Sequence, residues 1–519
     1  MRTLLVVLIV TITGWSFAAE PVKKPNIVVI LVDDMGFSDI GCYGSEIPTP
    51  NLDQLAANGL RFTQFYNTAR CCPTRAALLT GLYSHQTGVG HMTADDKLPG
   101  YRGRLSDECV TLAEAVKSAG YFTIMCGKWH VGQNHGVAPW TRGFDRSLNA
   151  AAGGFYYADN ERAELFLNGE KIANNDKRLP KDWYSTDLWT DFGIKFIDEA
   201  VQEKKPFLLY LAHNAPHFPI QAADEDVAKF RGKYKAGWDK LREERNKRQI
   251  EMGLIQKQWM LSERPDSVKA WDKLSEAEKD RFDNIMAIAA ASIYAIDRSV
   301  GRLVDHLKAR SELDNTLILF MSDNGGNAES GPEGKLNLPK GQKHTIAWTG
   351  QSWATLENTP FRLYKHFEHE GGISSPLIAH WPNGIKTKGE WRTQVSHLID
   401  VMPTCVEVAG STYPTQFKEK KILPMEGRSL ISAFKNKPET RTLFWEHEGN
   451  RAVRAGKWKL VSQGNKGWEL YDMEADRTEL HSLAAAMPER VKDLSGQWND
   501  WAKRANALPR PGAKKKNKE

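Results

Sequence analysis

Asn26-Ile27-Val28-Val29-Ile30-Leu31-Val32 runs directly into Asp33-Asp34-Met35-Gly36. The run is apolar after Asn26, rich in β-branched residues and free of polar alternation. It reads as a strand buried on both faces, and such strands belong to parallel sheets covered by helices on each side. It stops at two adjacent carboxylates. These are hard oxygen ligands suited to Ca²⁺ or Mg²⁺, although an isolated Asp-Asp pair reads first as a turn and helix cap.

The same arrangement recurs three times. Tyr121-Phe122-Thr123-Ile124-Met125-Cys126 leads to Gly127-Lys128-Trp129-His130. Lys205-Pro206-Phe207-Leu208-Leu209-Tyr210-Leu211-Ala212 leads to His213 and, past Asn214-Ala215-Pro216, to His217. Thr316-Leu317-Ile318-Leu319-Phe320-Met321 leads to Ser322-Asp323-Asn324-Gly325-Gly326. In open α/β sheets, ligands bind at the carboxyl ends of strands. Four polar clusters distant in sequence are therefore expected to meet on one edge. Two histidines near position 213 also suit zinc, but no third soft ligand lies nearby.

Cys71-Cys72-Pro73-Thr74-Arg75-Ala76-Ala77-Leu78-Leu79-Thr80-Gly81 reads locally as a loop entering a helix, with proline in the first turn. A cysteine at a helix N-terminus gains nucleophilic character; the alternatives are a buried structural cysteine or a disulfide partner. As C-x-P-x-R-x-x-x-L-T-G, the stretch resembles the signature of the formylglycine-dependent (type I) sulfatases, the arylsulfatase family of the alkaline-phosphatase-like superfamily. Pro73 and Arg75 sit at the required offsets only when counted from Cys71, and Cys72 is out of register. Further segments carry the likeness: Thr49-Pro50-Asn51-Leu52-Asp53-Gln54-Leu55-Ala56, Gly127-Lys128-Trp129-His130, Pro216-His217-Phe218-Pro219, Ser322-Asp323-Asn324-Gly325, Asn358-Thr359-Pro360-Phe361-Arg362-Leu363-Tyr364-Lys365 and Glu370-Gly371-Gly372-Ile373. Ser374 and Ser375 depart from the family's usual Arg-Val, a change expected to touch a loop wall only.

The resemblance implies a sulfuric ester hydrolase acting on an aryl or carbohydrate sulfate. A modifying enzyme, the formylglycine-generating type or an equivalent, would oxidise Cys71 to an aldehyde that hydrates to a diol. Asp33, Asp34, Asp323, Asn324 and residue 71 would hold a divalent ion, Ca²⁺ or alternatively Mg²⁺. A diol oxygen would attack sulfur, with Lys128 and Lys365 stabilising sulfuryl charge and Arg75 orienting the diol. His217 would protonate the leaving alcohol, and His130 would take a proton from the second hydroxyl to release sulfate. A phosphonate or phosphate ester hydrolase on the same scaffold is the nearest rival, since Lys, Arg and metal suit either anion. A non-catalytic sulfated-glycan binder is a third reading; it requires an unmodified Cys71.

The fold expected is α/β: a large mixed, mostly parallel sheet flanked by helices, with a small C-terminal antiparallel sheet plus helix. The domains predicted are a signal peptide over 1–19, a catalytic α/β domain over 20–410, a C-terminal α+β subdomain over 411–508 and a disordered Lys-rich tail over 509–519. Within them, 49–56 opens a helix capped by Thr49 or Asn51, 111–119 forms a helix, 224–274 is a helical surface insertion, 275–311 is one long helix, and 327–354 is a long loop. Strands near 443, 452, 459 and 470 precede a final helix over 487–505.

With 519 residues, 41% hydrophobic and 26% charged, the composition is that of a globular protein. Arg2, the apolar run 4–10 and Ser16-Phe17-Ala18 resemble a secretory signal too short to span a membrane. The expectation is an exported protein, periplasmic or secreted, with no membrane span. The formal charge of +6 includes Arg2 and the terminal Lys514, Lys515, Lys516 and Lys518, so nucleic-acid binding is not indicated. Cys42, Cys71, Cys72, Cys109, Cys126 and Cys405 show no disulfide framework. No N-x-S/T sequon occurs, which favours a bacterial source. Trp140, Trp348 and Trp353 are candidates for stacking on sugar rings.

Overall fold

A computed structural model describes residues 23–437 and 439–512. The expected signal peptide and the lysines of the tail lie outside these residues. The chain forms β1 (Asn26–Val32), β2 (Leu60–Tyr66), β3 (Phe122–Lys128), β4 (Arg146–Ala150), β5 (Leu165–Leu167), β6 (Glu170–Ile172), β7 (Phe207–Ala212) and β8 (Thr316–Ser322). A short hairpin, β9 (Lys335–Asn337) and β10 (Ile346–Trp348), precedes β11 (Ser374–His380), β12 (Glu390–Arg392) and β13 (Ser396–His397). The principal sheet runs β12-β2-β11-β8-β1-β7-β3-β4-β5-β6, with β13 beside β2. Its centre is parallel: β8, β1, β7, β3 and β4 all point one way. β11 enters antiparallel between β2 and β8, and β5 and β6 add an antiparallel edge. This is the mixed, mostly parallel α/β sheet expected.

β1 is buried along its whole length because its two faces feed two cores. Val28, Ile30 and Val32 pack with the helices Ser185–Gln202 and Glu276–Ala309. Ile27, Val29 and Leu31 pack with the helix Cys71–Thr80 and the C-terminal layer. The long helix carries its apolar stripe inward, as its 3.6-residue period requires. After β14 (Gln416–Phe417) and β15 (Lys420–Lys421), the strands β16 (Thr442–His447), β17 (Asn450–Ala455), β18 (Trp458–Ser462) and β19 (Glu469–Asp472) make a four-stranded antiparallel sheet, closed by the helix Pro488–Arg504.

Several local expectations are corrected. The helix Pro50–Ala57 is not capped by its own Thr49 or Asn51 side chain. Asp297, from the long helix, accepts from the Leu52 N–H at 2.8 Å and the Asn51 N–H at 3.3 Å. The 224–274 insertion is helical at Asp224–Ala228 and Gly237–Glu251 and lies on the surface only in part, since one face is buried. Trp238 and Arg245 are fully buried, and Arg245 binds Asp39 and Glu46 at 2.8 Å each. Charge-rich sequence becomes interior here because the buried cations find acceptors: Arg245 two carboxylates, and Arg242 the carbonyl and hydroxyl of Ser262 at 2.8 Å each. The 327–354 stretch contains β9, β10 and the start of the helix Gly350–Glu357, so it is not all loop. Ser374 and Ser375 begin β11 instead of walling a loop; Ser375 Oγ donates to the Ser322 carbonyl at 3.0 Å.

Candidate active site

The carboxyl ends of β1, β3, β7 and β8 converge as the strand order demands, since these four strands are contiguous in the sheet. Consecutive residues of a strand point to opposite faces. Asp34 leaves the strand conformation at φ 69°. Oxygens of Asp33 and Asp34 and a ring nitrogen of His217 thereby lie within 4.8 Å of one another. Aspartate tolerates this left-handed backbone better than most residues.

The helix Cys71–Thr80 presses its first turn against this edge, and all ten of its residues are buried. Pro73 occupies the first turn, where a missing N–H costs nothing. Thr74 Oγ1 donates to the Asp323 carbonyl at 2.7 Å. Arg75 donates to Asp323 Oδ2 at 2.8 Å and to the Lys128 carbonyl at 2.8 Å. Arg75 thus ties the helix to the ends of β3 and β8 and reaches residue 71 through those partners.

Three cations and three carboxylates interlock. Lys128 Nζ lies 2.6 Å from Asp33, Lys365 Nζ 2.8 Å from Asp34, and Arg75 bridges Asp323 and Asp33, at 2.8 and 3.5 Å. Burial alone would raise the Asp33 carboxyl, but Lys128, His217 and Arg75 hold it well below the usual range. Burial, then the neighbouring Asp33 charge, pushes Asp323 well above it. Both lysines are held above their ordinary value against burial, Lys128 by Asp33 and Lys365 by Asp34.

The donor set fits a hard cation. Asp33 Oδ1 and Asn324 Oδ1 are buried with no hydrogen-bond partner. Buried oxygens without partners are rare in folded proteins and ask for a ligand. Asn324 is oriented by its own amide, which donates to Asp34 Oδ1 at 2.7 Å.

Cys71 is buried in the first turn beside His130. The Cys72 hydrogen bond, then the Lys128 charge and the contact with His130, lower the Cys71 thiol well below its ordinary value. Burial, then Cys71 itself, raises Cys72, whose Sγ lies 3.7 Å from Met92 Sδ. The two adjacent cysteines are thus chemically unlike. Burial, then Lys128, lowers His130, so its ring is neutral near pH 7. His217 stacks on Phe218 with centroids 4.5 Å apart, and its Nε2 lies 3.6 Å from Asp34. His213 is fully buried, and burial lowers it to about 3.

All ten sequence-derived site residues therefore gather at one sheet edge. Others join them that sequence reasoning passed over. Asn327 Nδ2 donates to Asp34 Oδ2 at 2.7 Å. Glu329 lies 3.1 Å from Lys365 Nζ and 2.8 Å from Arg70, and His366 lies 3.0 Å from Glu329. Asn327 and Glu329 follow Asp323 and Asn324 at the end of β8 by only a few residues, and that proximity is the signal that could have found them. Trp353 is removed from the sugar-stacking candidates: it is fully buried and its Nε1 donates to the Phe282 carbonyl at 3.0 Å. Trp140 packs on Phe166 with centroids 5.8 Å apart.

A family profile described as "Sulfatase" matches residues 25–411, and one described as "N-sulphoglucosamine sulphohydrolase, C-terminal" matches 361–500. An uncharacterized sulfatase of Schizosaccharomyces pombe is 35% identical over 92% of this chain and 93% of its own. An arylsulfatase of Klebsiella aerogenes is 34% identical over 81% of this chain and 94% of its own. The crystal structure of Ps i-CgsB in complex with k-i-k-neocarrahexaose superposes with a TM-score of 0.69 and 27% identity, covering 94% of this chain and 98% of that one.

Proposed function

The chain belongs to the sulfatase family and is a sulfuric ester hydrolase; from that premise we propose that it cleaves an aryl or carbohydrate sulfate with a formylglycine made from Cys71. The observation that carries the reading is the joint placement of Cys71, Lys128, His130, His217 and Lys365 around three buried aspartates. Once oxidised and hydrated, residue 71 supplies a diol as nucleophile, a role no thiol can fill with release of sulfate. Asp33, Asp34, Asp323 and Asn324 would hold a divalent ion, Ca²⁺ or alternatively Mg²⁺, which adds positive charge beside the sulfuryl group.

The remaining work falls to side chains in the chain. Lys128 and Lys365 aim ammonium groups at the edge where sulfuryl oxygens gather charge. Arg75 fixes the Asp323 carboxylate and so the position of the first helical turn. His130, neutral near pH 7, accepts a proton from residue 71. His217 stands as donor to the departing alcohol, its ring fixed by Phe218. The separate four-stranded antiparallel sheet β16–β19 supports a second unit after about residue 410. Among the described residues no helix is long and apolar enough to cross a membrane, and export to the periplasm or medium remains our reading of the N-terminal sequence.

The test is a comparison of an aryl sulfate, an aryl phosphonate monoester and a sulfated-glycan panel, using protein co-expressed with a formylglycine-generating enzyme. Sulfate hydrolysis in proportion to the modified fraction is the expected result. Preference for the phosphonate selects the rival hydrolase, and an unmodified, inert protein that retains sulfated glycans selects the binder.

A further inference from the structure

Outside the catalytic edge, a second cluster forms where the C-terminal sheet meets the loop after the signature helix. His447 ends β16, and Glu448-Gly449 turn the chain into β17. His91 comes from the segment downstream of the Cys71–Thr80 helix. One donor atom each from His91, His447 and Glu448 lies within 4.8 Å of the other two. Glu448 Oε1 is 2.9 Å from His91 Nε2 and 3.6 Å from His447 Nε2. On a tetrahedral ion with bonds of about 2.0–2.1 Å, neighbouring donors stand about 3.3 Å apart. The two observed edges bracket that value.

His447 supplies a separate observation. It is fully buried, and neither of its ring nitrogens has a hydrogen-bond partner. A neutral imidazole carries one donor and one acceptor, and 3.6 Å to Glu448 is too long to satisfy either. A buried ring with two idle nitrogens, facing a carboxylate and a second imidazole, is the environment of a metal ligand.

The outer partners are also present. Glu448 Oε2 lies 2.8 Å from His366 Nδ1, the kind of second contact that orients a ligating carboxylate. The nearby Glu446 is already engaged by His85 and Tyr101, each at 3.0 Å, and is not available as a ligand. A 420 Å³ cavity lined by His91, Tyr101, Glu446, Glu448 and Arg510 gives solvent access.

We propose that His91, His447 and Glu448 form a second metal site, for a borderline divalent ion of the Zn²⁺ class, with a fourth position left for water. Two nitrogens and one carboxylate oxygen select such an ion over the Ca²⁺ or Mg²⁺ suited to the all-oxygen catalytic set. The site fastens the β16–β17 hairpin to the loop that follows the signature helix. Through His366, Glu329 and Lys365 it adjoins the catalytic edge. The proposal does not depend on the hydrolytic mechanism.

The experiment is a Zn²⁺ titration of the full chain by calorimetry, in excess Ca²⁺ to keep the oxygen site filled, with Co²⁺ absorption as the optical probe of tetrahedral geometry. Wild-type protein should bind one Zn²⁺ per chain in this site. His91→Ala, a half-exposed position that leaves the core intact, should weaken binding by about 100-fold or more, and Glu448→Gln similarly. His366→Ala should cost less, within the roughly 10–100-fold of an outer partner. Far-UV spectra and zinc-free thermal midpoints report that each variant folds. The nitrogen-and-sulfur group of Cys71, Cys72 and His130 is the built-in competitor. Absence of Zn²⁺ binding overturns the proposal. So does binding that survives His91→Ala and Glu448→Gln but is lost in Cys72→Ala.

Discussion

Lys128 Nζ lies 2.6 Å from Asp33 Oδ2, across the intervening strand β7, with both side chains out of solvent. A cation proposed for the substrate and a carboxylate proposed for the metal are thus each other's partner in the protein alone. Lys365 and Asp34 repeat the pairing at 2.8 Å. Each lysine at this edge is paired before any ligand arrives, so a dication and a sulfate monoanion must enter by re-partnering groups already in place.

Lys128→Ala and Lys365→Ala are accordingly expected to lower kcat/KM by about 10²–10³, the cost of removing one donor aimed at developing charge. Far-UV circular dichroism should be unchanged. Near-wild-type kinetics in either variant would reduce that lysine to a counter-ion for its aspartate.

Metal removal should act through the same carboxylates. With Asp33 Oδ1 and Asn324 Oδ1 lacking partners, a chelator should abolish hydrolysis and lower the thermal midpoint. Ca²⁺ or Mg²⁺ should restore both. Restoration of activity by Zn²⁺ alone would contradict the oxygen-ligand assignment.

The contact between the principal sheet and the C-terminal sheet has its own titration. Glu370 is fully buried and receives Lys459 at 2.8 Å and Arg477 at 3.0 Å. Burial would raise its carboxyl, but Lys459 and Arg477 hold it down at about 2. A carboxyl depressed on folding contributes stability that is complete above about 4.5 and is lost as pH falls toward about 2. Glu370→Gln should therefore destabilise the protein by about 3–5 kcal/mol at pH 7, the usual cost of breaking a buried pair. The gap between variant and wild-type unfolding midpoints should narrow between pH 5 and pH 3. A gap that does not change with pH would show that Glu370 acts by packing and not by charge.

The legible parts of this molecule were those with a local signal. β1, β3, β7 and β8 announced themselves as apolar runs, and their parallel pairing follows from burial on both faces, but their order in the sheet is visible only in the folded chain. The C-terminal hairpins were legible from alternation and glycine turns. What escaped was long-range charge pairing. Arg245 looks like one more surface arginine until Asp39 and Glu46, some 200 positions away in sequence, are placed against it. Glu329, His366, His447 and Glu448 belong to no periodic pattern, and only the folded chain brings them together. Trp353 shows the reverse failure: a residue type suited to sugar binding was spent on the core.

The central expectation is that Cys71, not Cys72, becomes the aldehyde. Register is one reason, since Pro73 and Arg75 fit the signature only from Cys71. The second reason is position: both thiols are buried in the same helical turn and both feel the Lys128 charge, but Cys71 also accepts from Cys72, stands beside His130 and is lowered, while burial raises Cys72, which lies against Met92. Peptide mass spectrometry of active protein should find residue 71 unreactive to a thiol alkylator and able to form a hydrazone, with Cys72 alkylated normally after unfolding. Cys71→Ala should turn over no ester and bind the metal weakly. Cys72→Ala should keep substantial activity and lose only packing. Protein made without the modifying enzyme should fold, remain nearly inert, and gain activity in step with the modified fraction. A fully active preparation with a free thiol at 71 would end the formylglycine mechanism for this chain, and the search for a nucleophile would move to the other groups around Asp33.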